Sequence, residues 1–281
     1  MRKIALGTVQ FGLDYGITNH SGQVTKDEVK NILDYAKYKD IDTLDTAARY
    51  GNSEQVLGEI GVNNYRIITK SIPLKNGVDK VIKGFHQSLD NLNTGQVDGF
   101  LIHNFDDVKD KRFGDLFHKL NELKEEGLIN KIGFSTYTPD QVYFLLENFD
   151  FDLIQVPFNV FDTRLIKGGQ LQALKKRNIE IQARSIFLQG ILLYFDNLSS
   201  YFSRWKKQFD KYQSTVEKSG LSLLEYALNF TLNVQEIDKI LVGVNSINQL
   251  KEIVQAKKKQ SSLSAFPIND ISLLNPGLWK I

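Results

Sequence analysis

The chain has 281 residues, of which 42% are hydrophobic, enough to build a sizeable core. Its 35 basic and 33 acidic residues leave a net charge of only +2, which excludes a global field that would attract nucleic acid or an anionic membrane. Cysteine is absent, which excludes disulfides, thiol nucleophiles and thiolate metal sites. The sequence shows neither a signal-peptide core nor an apolar stretch of membrane-spanning length, and we therefore expect a cytoplasmic protein.

Short apolar runs recur along the chain and alternate with amphipathic stretches. Continuous apolar runs of this length are typical of strands that are buried on both faces of a parallel sheet. The predicted strands are Ile4–Gly7, Thr43–Asp45, Arg66–Lys70, Val97–Ile102, Lys131–Ser135, Leu153–Val156, Glu180–Arg184 and Lys239–Val242.

Several helix starts between these strands carry a capping box. In this motif a hydroxyl residue and an acid or amide three positions later satisfy free N–H groups of the first turn. The matching hydroxyl residues are Thr25, Thr138, Ser222 and Ser246. Further helices are predicted over Asn52–Ile60, Val78–Leu92, Asp115–Glu126 and Leu165–Arg177.

The regular alternation of strand and helix predicts an α/β protein with the (β/α)8 architecture of a TIM barrel. An open dinucleotide-binding sheet fits less well, because no Gly-x-Gly-x-x-Gly follows any strand. No linker or low-complexity tract interrupts the chain, so we expect residues 1–281 to form a single domain. One segment, Ser185–Gly220, makes a long loop after the seventh strand, and it is rich in aromatic residues. Its length predicts a functional lid or helices of its own.

Four ionisable side chains stand at or just after the ends of the second, third and fourth predicted strands. They are Asp45, Tyr50, Lys70 and His103. Alone, each has an ordinary structural interpretation, such as a turn cap, a rim aromatic, a strand-end lysine or a partly buried histidine. Because strand ends of a barrel meet at one rim, the four should share one pocket, where together they can perform acid–base chemistry. No histidine shows metal-ligand spacing, so no metal site is expected.

Six motifs carry a family resemblance. In chain order they read L-G-T-V-Q-F-G, D-T-A-A-R-Y-G, I-T-K-S, L-I-H-N, G-F-S-T and I-Q-V-P-F-N. They resemble successive blocks of the aldo-keto reductases, NAD(P)-dependent carbonyl reductases built on a TIM barrel, and the likeness runs from about Leu6 to Ile253.

This resemblance implies a role for each of the four residues. Tyr50 matches the proton donor, and Lys70 matches the ammonium that lowers the pKa of the phenol. Asp45 matches the carboxylate that pairs with the lysine and lies close to the nicotinamide ribose. His103 matches the imidazole that positions the carbonyl oxygen and helps to relay or donate the proton.

The resemblance also implies a dinucleotide site along the remaining strand ends. Ser135 and Gln155, at the ends of the fifth and sixth strands, match positions that hold the nicotinamide carboxamide, and Thr136 stands where many relatives carry Asn. Arg184 stands where relatives often stack a tyrosine ring on nicotinamide, and the backbone after it is expected to approach the pyrophosphate. The implied cofactor-binding residues are Gly7, Thr8, Asp45, Ser135, Thr136, Gln155, Arg184, Ser185, Phe187, Gln189, Gly190, Gly243, Asn245, Ser246 and Gln249.

Cofactor selectivity depends on the residues after the eighth strand. NADPH-selective relatives place Lys or Arg there, against the 2′-phosphate, whereas this chain has Gly243 and Gln249 at the nearest equivalents. The loss of charge-assisted bonds weakens discrimination in favour of NADP. NADP is the cofactor that the resemblance implies, and NAD remains the alternative.

The expected substrate is a small molecule, namely an aldehyde, a ketone or a sugar-derived carbonyl compound. We expect aromatic residues to line its pocket, because aromatic walls accept apolar faces, including those of sugars. The predicted lining residues are Phe11, Tyr15, Phe105 and Phe161, with Phe134 as a further candidate. Neither nucleic acid nor membrane is an expected partner, and the sequence predicts no oligomeric state.

Two other functions fit parts of this pattern. A barrel lyase or aldolase would use Lys70 to form a Schiff base, but that chemistry needs a lysine of lowered pKa, and Asp45 would keep the amine charged. A cofactor-binding regulatory subunit would keep the barrel and turn over slowly. Borohydride trapping of a lysine adduct tests the first alternative, and turnover rates test the second.

Overall fold

Eight parallel strands close into a barrel in the computed structural model, which describes residues 1–17, 19, 21–195, 198–258 and 262–280. Neighbours in sequence are neighbours in the sheet, and the last strand pairs with the first in the register Ile4↔Ile240. The strands are β1 (Ile4–Gly7), β2 (Thr43–Asp45), β3 (Arg66–Lys70), β4 (Val97–Ile102), β5 (Ile129–Ser135), β6 (Leu153–Pro157), β7 (Glu180–Arg184) and β8 (Lys239–Gly243). All eight predicted strands are confirmed, and three of them are one or two residues longer than predicted.

Helices follow the strands and cover the outside of the barrel. In the described residues they are α1 (Val9–Gly12), α2 (Lys26–Tyr38), α3 (Ser53–Ile60), α4 (Val78–Leu92), α5 (Phe113–Glu125), α6 (Pro139–Asn148), α7 (Arg164–Lys167), α8 (Gln170–Lys176), α9 (Lys206–Ser219), α10 (Leu223–Leu232), α11 (Ile247–Ala256) and α12 (Ile271–Leu274). The TIM-barrel prediction is confirmed. Across the same described ranges, every helix is too short or too polar to cross a membrane.

One helix prediction was wrong. Leu165–Arg177 is not continuous but divides into α7 and α8, because Gly168 and Gly169 interrupt it. Gly169 has a φ of +77°, a left-handed conformation that suits glycine and ends the first helix.

The capping boxes are only partly confirmed. Thr138 and Ser222 form complete boxes with the side chains three residues later. Thr25 caps α2 through its hydroxyl, but Glu28 does not return the bond and instead reaches the start of α11. At α11 the amide oxygen of Gln249 accepts from the backbone of Asn245 rather than from that of the cap residue.

The long segment after β7 contains a helix, α9, preceded by a 3-10 turn over Ser200–Trp205. Phe209 and Tyr212 on α9 are buried, and both rings pack against Phe161. The prediction that this segment forms helices of its own is therefore confirmed.

The barrel lumen is polar along one line. Gln155 Nε2 lies 3.4 Å from Gln182 Oε1, and Gln182 Nε2 donates to Glu180 Oε1 at 2.9 Å. Lys131 Nζ then bridges Glu180 Oε2 at 2.7 Å and Asp98 Oδ2 at 3.2 Å. We call these five residues the lumen chain. It runs from the amino-terminal end of the strands towards the rim where β2 ends.

Candidate active site

Lys70 and Asp45 form a buried ion pair at the carboxyl-terminal rim. The Lys70 ammonium donates to both oxygens of Asp45 at 2.7 Å and to the backbone oxygen of Thr46 at 2.9 Å. Burial acts to lower the pKa of Lys70, but the charges of Asp45 and Tyr50 outweigh it, so the net pKa is raised. Lys70 therefore remains a charged donor in the folded protein.

Tyr50 lies on the other side of this ammonium. Its phenol oxygen is 3.4 Å from Lys70 Nζ, and the same nitrogen lies 4.9 Å from the ring centroid. Burial raises the pKa of Tyr50, and Lys70 acts in the opposite direction without cancelling that effect. Lys70 thus acts on the phenol in the predicted direction, but burial is the stronger influence and the net pKa of Tyr50 is raised. Tyr50 is held as a neutral phenol with a proton to give.

The turn that carries Tyr50 is fixed by buried polar contacts. Ser53 Oγ donates to the backbone oxygen of Thr8, and it lies 2.9 Å from Thr8 Oγ1 and 3.3 Å from Thr46 Oγ1. Gly12 packs directly beneath this turn, and a Cβ atom there would overlap the carbonyl oxygen of Tyr50. These contacts leave the phenol little freedom to move away from Lys70.

His103 completes the group. Its ring meets that of Tyr50 edge to face with centroids 6.0 Å apart. Its backbone N–H donates to Ser71 Oγ at 3.1 Å, whereas Nδ1 is buried and has no partner within the described residues. Burial, followed by the charges of Lys70, Arg49 and Arg184, lowers the pKa of His103 to about 3. The imidazole is therefore neutral at physiological pH, which suits positioning of a carbonyl oxygen better than proton donation.

The low pKa of His103 predicts an acid-sensitive fold. Between pH 6.5 and about 3, the unfolded chain binds a proton at His103 that the folded protein excludes, so stability falls as the pH falls. We expect this group to reduce the free energy of unfolding by about 1–2 kcal/mol from pH 7 to pH 5. Urea titrations at both pH values should show a smaller loss in His103→Gln. The exposed His118 provides the control His118→Gln, and equal acid sensitivity in both variants and the parent would contradict the prediction.

The ends of β5, β6 and β7 form the next part of the rim. Ser135 is buried, and the hydroxyl of Thr136 is buried without a partner in the described residues. Gln155 donates to Asp45 Oδ1 at 2.7 Å, which links this part of the rim to the ion pair. Arg184 Nη2 donates to the backbone oxygen of Thr136 at 2.9 Å. Its guanidinium also lies 4.1 Å from the ring centroid of Tyr137.

The backbone curls tightly after β7. Ser185, Leu188, Gln189 and Gly190 all have positive φ angles between 47° and 94°. The N–H groups of Leu188 and Gly190 donate within this curl, to the backbone oxygens of Ser185 and Phe187, both at 2.9 Å. Phe187 is half-buried against the core and anchors the curl. Segment 185–190 is the part of the chain that the family resemblance assigns to the pyrophosphate, and we call it the proposed phosphate cradle.

The turn between β8 and α11 is capped by an acid. Glu28 Oε1 accepts from the backbone N–H of Ile247 at 2.6 Å, while Ser246 Oγ accepts from that of Gln249 at 3.3 Å. Gly243 is exposed, and the space beside it is filled by the side chain of Gln10. Among the described residues, no basic side chain forms a hydrogen bond with this turn, and Glu28 brings a negative charge to it.

The predicted aromatic wall is only partly at the rim. Tyr15 is 41% exposed, and its hydroxyl accepts from the side chain of Gln189 at 2.9 Å. The pKa of Tyr15 is raised, first by burial and second by the neighbouring Tyr50. Phe105 meets Phe144 edge to face near the surface. Two other predicted residues are fully buried: Phe11 in the core and Phe161 beneath α9. We therefore leave both out of the proposed pocket.

Phe134 also lies away from the rim, because it is buried in an aromatic cluster with Phe149 and Phe151. Sequence reasoning missed Tyr137, which packs on Arg184, and Arg49, which acts on His103. Tyr137 directly follows Thr136 and Arg49 directly precedes Tyr50, so their position beside predicted site residues was the available signal.

Several buried polar atoms near the rim have no hydrogen-bond partner in the part of the chain that the structure describes. Six side-chain atoms in the described ranges are buried without a hydrogen-bond partner, and four of them belong to residues after β1, β4, β5 and β8. These are Gln10 Oε1, His103 Nδ1, Thr136 Oγ1 and Asn245 Oδ1. Buried polar groups rarely remain unpaired, so each of these four atoms has capacity for a partner from outside the chain, either ordered water or a bound molecule. Of these four residues, His103 contacts the ring of Tyr50.

Comparisons with known proteins give one family and several relatives. The profile of the aldo/keto reductase family matches residues 3–271. The uncharacterized oxidoreductase YqkF of Bacillus subtilis (strain 168) is 26% identical over 91% of this chain and 91% of its own length. An aldo-keto reductase of Mycobacterium sp. (strain JLS) is 31% identical over 110 residues, and the match spans only 40% of that relative. L-galactose dehydrogenase of Arabidopsis thaliana is 25% identical over 86% of this chain and 82% of its own length.

Solved structures share the barrel at lower identity. A holo-form aldo-keto reductase from Bacillus halodurans has a TM-score of 0.72 at 20% identity, covering 92% of this chain and 87% of that one. The glycerol dehydrogenase of Gluconobacter oxydans gives 0.72 at 21% identity, covering 92% and 88%. These two likenesses show the fold.

Proposed function

Since this chain belongs to the aldo/keto reductase family, we propose that it reduces an aldehyde or ketone to an alcohol with NADH or NADPH, and that Tyr50 supplies the proton. The oxidoreductase class follows from the family, and the substrate and cofactor belong to the proposal. The observation that carries it is the buried Lys70 ammonium, which touches Asp45 on one side and the Tyr50 phenol on the other. A panel of small aldehydes, ketones and sugar carbonyls with each reduced cofactor tests it, followed through nicotinamide absorbance. No oxidation of either cofactor across the panel would overturn it.

The chain's own residues supply the acid catalysis. Tyr50 donates its proton to the carbonyl oxygen while the ammonium of Lys70 stabilises the phenolate that remains. Neutral His103 holds the same oxygen by a hydrogen bond from its ring. When bound, the reduced nicotinamide supplies the hydride that the carbonyl carbon receives. Asp45 keeps the ammonium charged and oriented through both of its oxygens.

The Schiff-base alternative loses support from the same geometry. A lysine that attacks a carbonyl must be a neutral amine, and such lysines have lowered pKa values. The pKa of Lys70 is raised instead, and three of its neighbours accept hydrogen bonds from it. We therefore do not propose a lyase. The regulatory-subunit alternative has no specific observation in its favour.

We further propose that the protein prefers NADH. In NADPH-selective relatives, which this sequence resembles, basic residues after the eighth strand hold the 2′-phosphate. Here Glu28 already occupies the start of α11, bonded to the N–H of Ile247 at 2.6 Å. A carboxylate at the start of a helix already occupies the positive end of the helix dipole, where a phosphate would otherwise bind, and its charge repels a second anion. Neither Gly243 nor Gln249 brings a compensating positive charge.

Glu28→Gln should move this preference towards NADPH. The amide keeps a hydrogen-bond acceptor for Ile247 but removes the repulsion, so we expect NADPH to bind about tenfold more tightly while NADH binding changes little. Dissociation constants measured by protein fluorescence quenching provide the readout. Asp27→Asn is the matched control, because this neighbouring carboxylate in the first turn of α2 is exposed. An unchanged ratio of the two constants in Glu28→Gln would contradict the role of Glu28.

A further inference from the structure

The rim around Tyr50 is positively charged. After burial, the influences that act most strongly on His103 are three cations, Lys70, Arg49 and Arg184. Asp45 is the carboxylate among the groups that act on Tyr50, and both of its oxygens are bound to Lys70. The Lys70 charge is thus neutralised within the protein. Two guanidinium charges remain.

These two guanidinium groups are held differently. Arg184 is fixed by the backbone oxygen of Thr136 at 2.9 Å, by Ser185 Oγ at 3.3 Å and by the ring of Tyr137. Arg49 is exposed, and its side chain makes no hydrogen bond or ion pair with any other residue in the described ranges. A guanidinium presents a planar fork of donors that fits carboxylate and phosphate oxygens. Arg49 therefore has its full hydrogen-bonding capacity available.

The position of Arg49 separates it from the proposed phosphate cradle. Arg49 follows β2 and directly precedes Tyr50, on the turn that Ser53 locks in place. Segment 185–190 follows β7, and the Glu28-capped turn follows β8. Arg184 adjoins the cradle through Ser185. Arg49 is thus the cation that stands beside the proton donor without belonging to the elements proposed for the dinucleotide.

We propose that the carbonyl substrate carries an anionic group, a carboxylate or a phosphate, and that Arg49 binds this group while Tyr50 protonates the carbonyl. This inference rests on the proposed carbonyl reduction. The competing interpretation is an ordinary solvated arginine, for which removal of the charge has little effect on ligand binding. A charge-assisted bond at a site closed by substrate is stronger, so its loss should lower affinity about ten- to a hundredfold.

Matched ligands test the proposal without depending on turnover. We expect the cofactor-loaded protein to bind 4-hydroxybutanoate at least about tenfold more tightly than 1-butanol in calorimetric titrations. Glycerol 3-phosphate against glycerol provides the phosphate pair and distinguishes the two anions. Arg49→Gln should remove the preference, and Arg49→Lys should restore part of it. Lys83→Gln is the control, since it removes the same charge from the exposed face of α4.

The corresponding aldehydes then separate this inference from the proposed function. The kcat/KM for 4-oxobutanoate should exceed that for butanal. Arg49→Gln should remove this difference by raising the KM for 4-oxobutanoate. Equal binding of the charged and uncharged ligands, or an unchanged preference in Arg49→Gln, overturns the anion site. Anion binding that depends on Arg49, with no reduction of any carbonyl, would keep the site and reject the reductase.

Discussion

Tyr50→Phe should lose nearly all carbonyl reduction while the fold and the affinity for cofactor remain. The change deletes one oxygen, which lies 3.4 Å from the Lys70 ammonium and has no role in the barrel core. General acid catalysis contributes about 10²–10⁴-fold, so kcat should fall within that range. Steady-state kinetics measure the fall, and fluorescence quenching by reduced cofactor measures the retained binding.

A second tyrosine provides the control for this result. Tyr38 is 75% exposed on α2, so Tyr38→Phe removes the same atom without touching the site. It should match the parent in rate and in cofactor affinity. Undiminished turnover in Tyr50→Phe would defeat the assignment of the proton donor. Loss of cofactor binding in that variant would instead show that Tyr50 supports the nicotinamide site.

Lys70→Met should produce the largest loss of stability among the charged positions. The side chains of Lys70 and Asp45 are only 1% and 4% exposed, so removal of the ammonium leaves a carboxylate buried without its counter-ion. Breaking a buried pair in this way costs about 3–5 kcal/mol. Urea unfolding followed by circular dichroism measures the free energy directly. Turnover should be lost as well, because no cation remains to stabilise the phenolate.

Lys30→Met tests whether burial is the reason. Lys30 pairs with Asp34 on the exposed face of α2, where both side chains are more than half exposed. Exposed pairs contribute about 0–1 kcal/mol, and the loss should stay within that range. The double change Lys70→Met with Asp45→Asn should be less damaging than the sum of the two single changes, since the residues are in contact. Additive losses would mean that the pair is not coupled.

The sequence was sufficient for the barrel and for the four groups around Lys70. Short apolar runs ended by Asp45, Lys70 and His103 predict both the strands and the rim, since a parallel barrel places all of its strand ends together. The features that the sequence could not predict depend on contacts between segments that are distant along the chain. Phe161 looks like a rim aromatic until α9 covers it, and Glu28 looks like half of a capping box until α11 meets it.

The same limit applies to the titration of Tyr50. A neighbouring ammonium is visible in sequence, but the degree of burial that outweighs it is a property of the packed site. The break between α7 and α8 is different, because the Gly168–Gly169 pair was present in the sequence and predicts an interruption.

The lumen chain limits where substitutions can raise the thermal stability of this enzyme. Each of its members accepts from or donates to the next, from Gln155 to Asp98. Gln155 and Gln182 are fully buried, so an aliphatic replacement of Gln155 leaves the side-chain oxygen of Gln182 without this partner inside the barrel. Gln155 also donates to Asp45, so a substitution in the lumen chain can disturb the carboxylate that pairs with Lys70. Substitutions intended to raise thermal stability should therefore be made in the outer helices and not in the lumen chain.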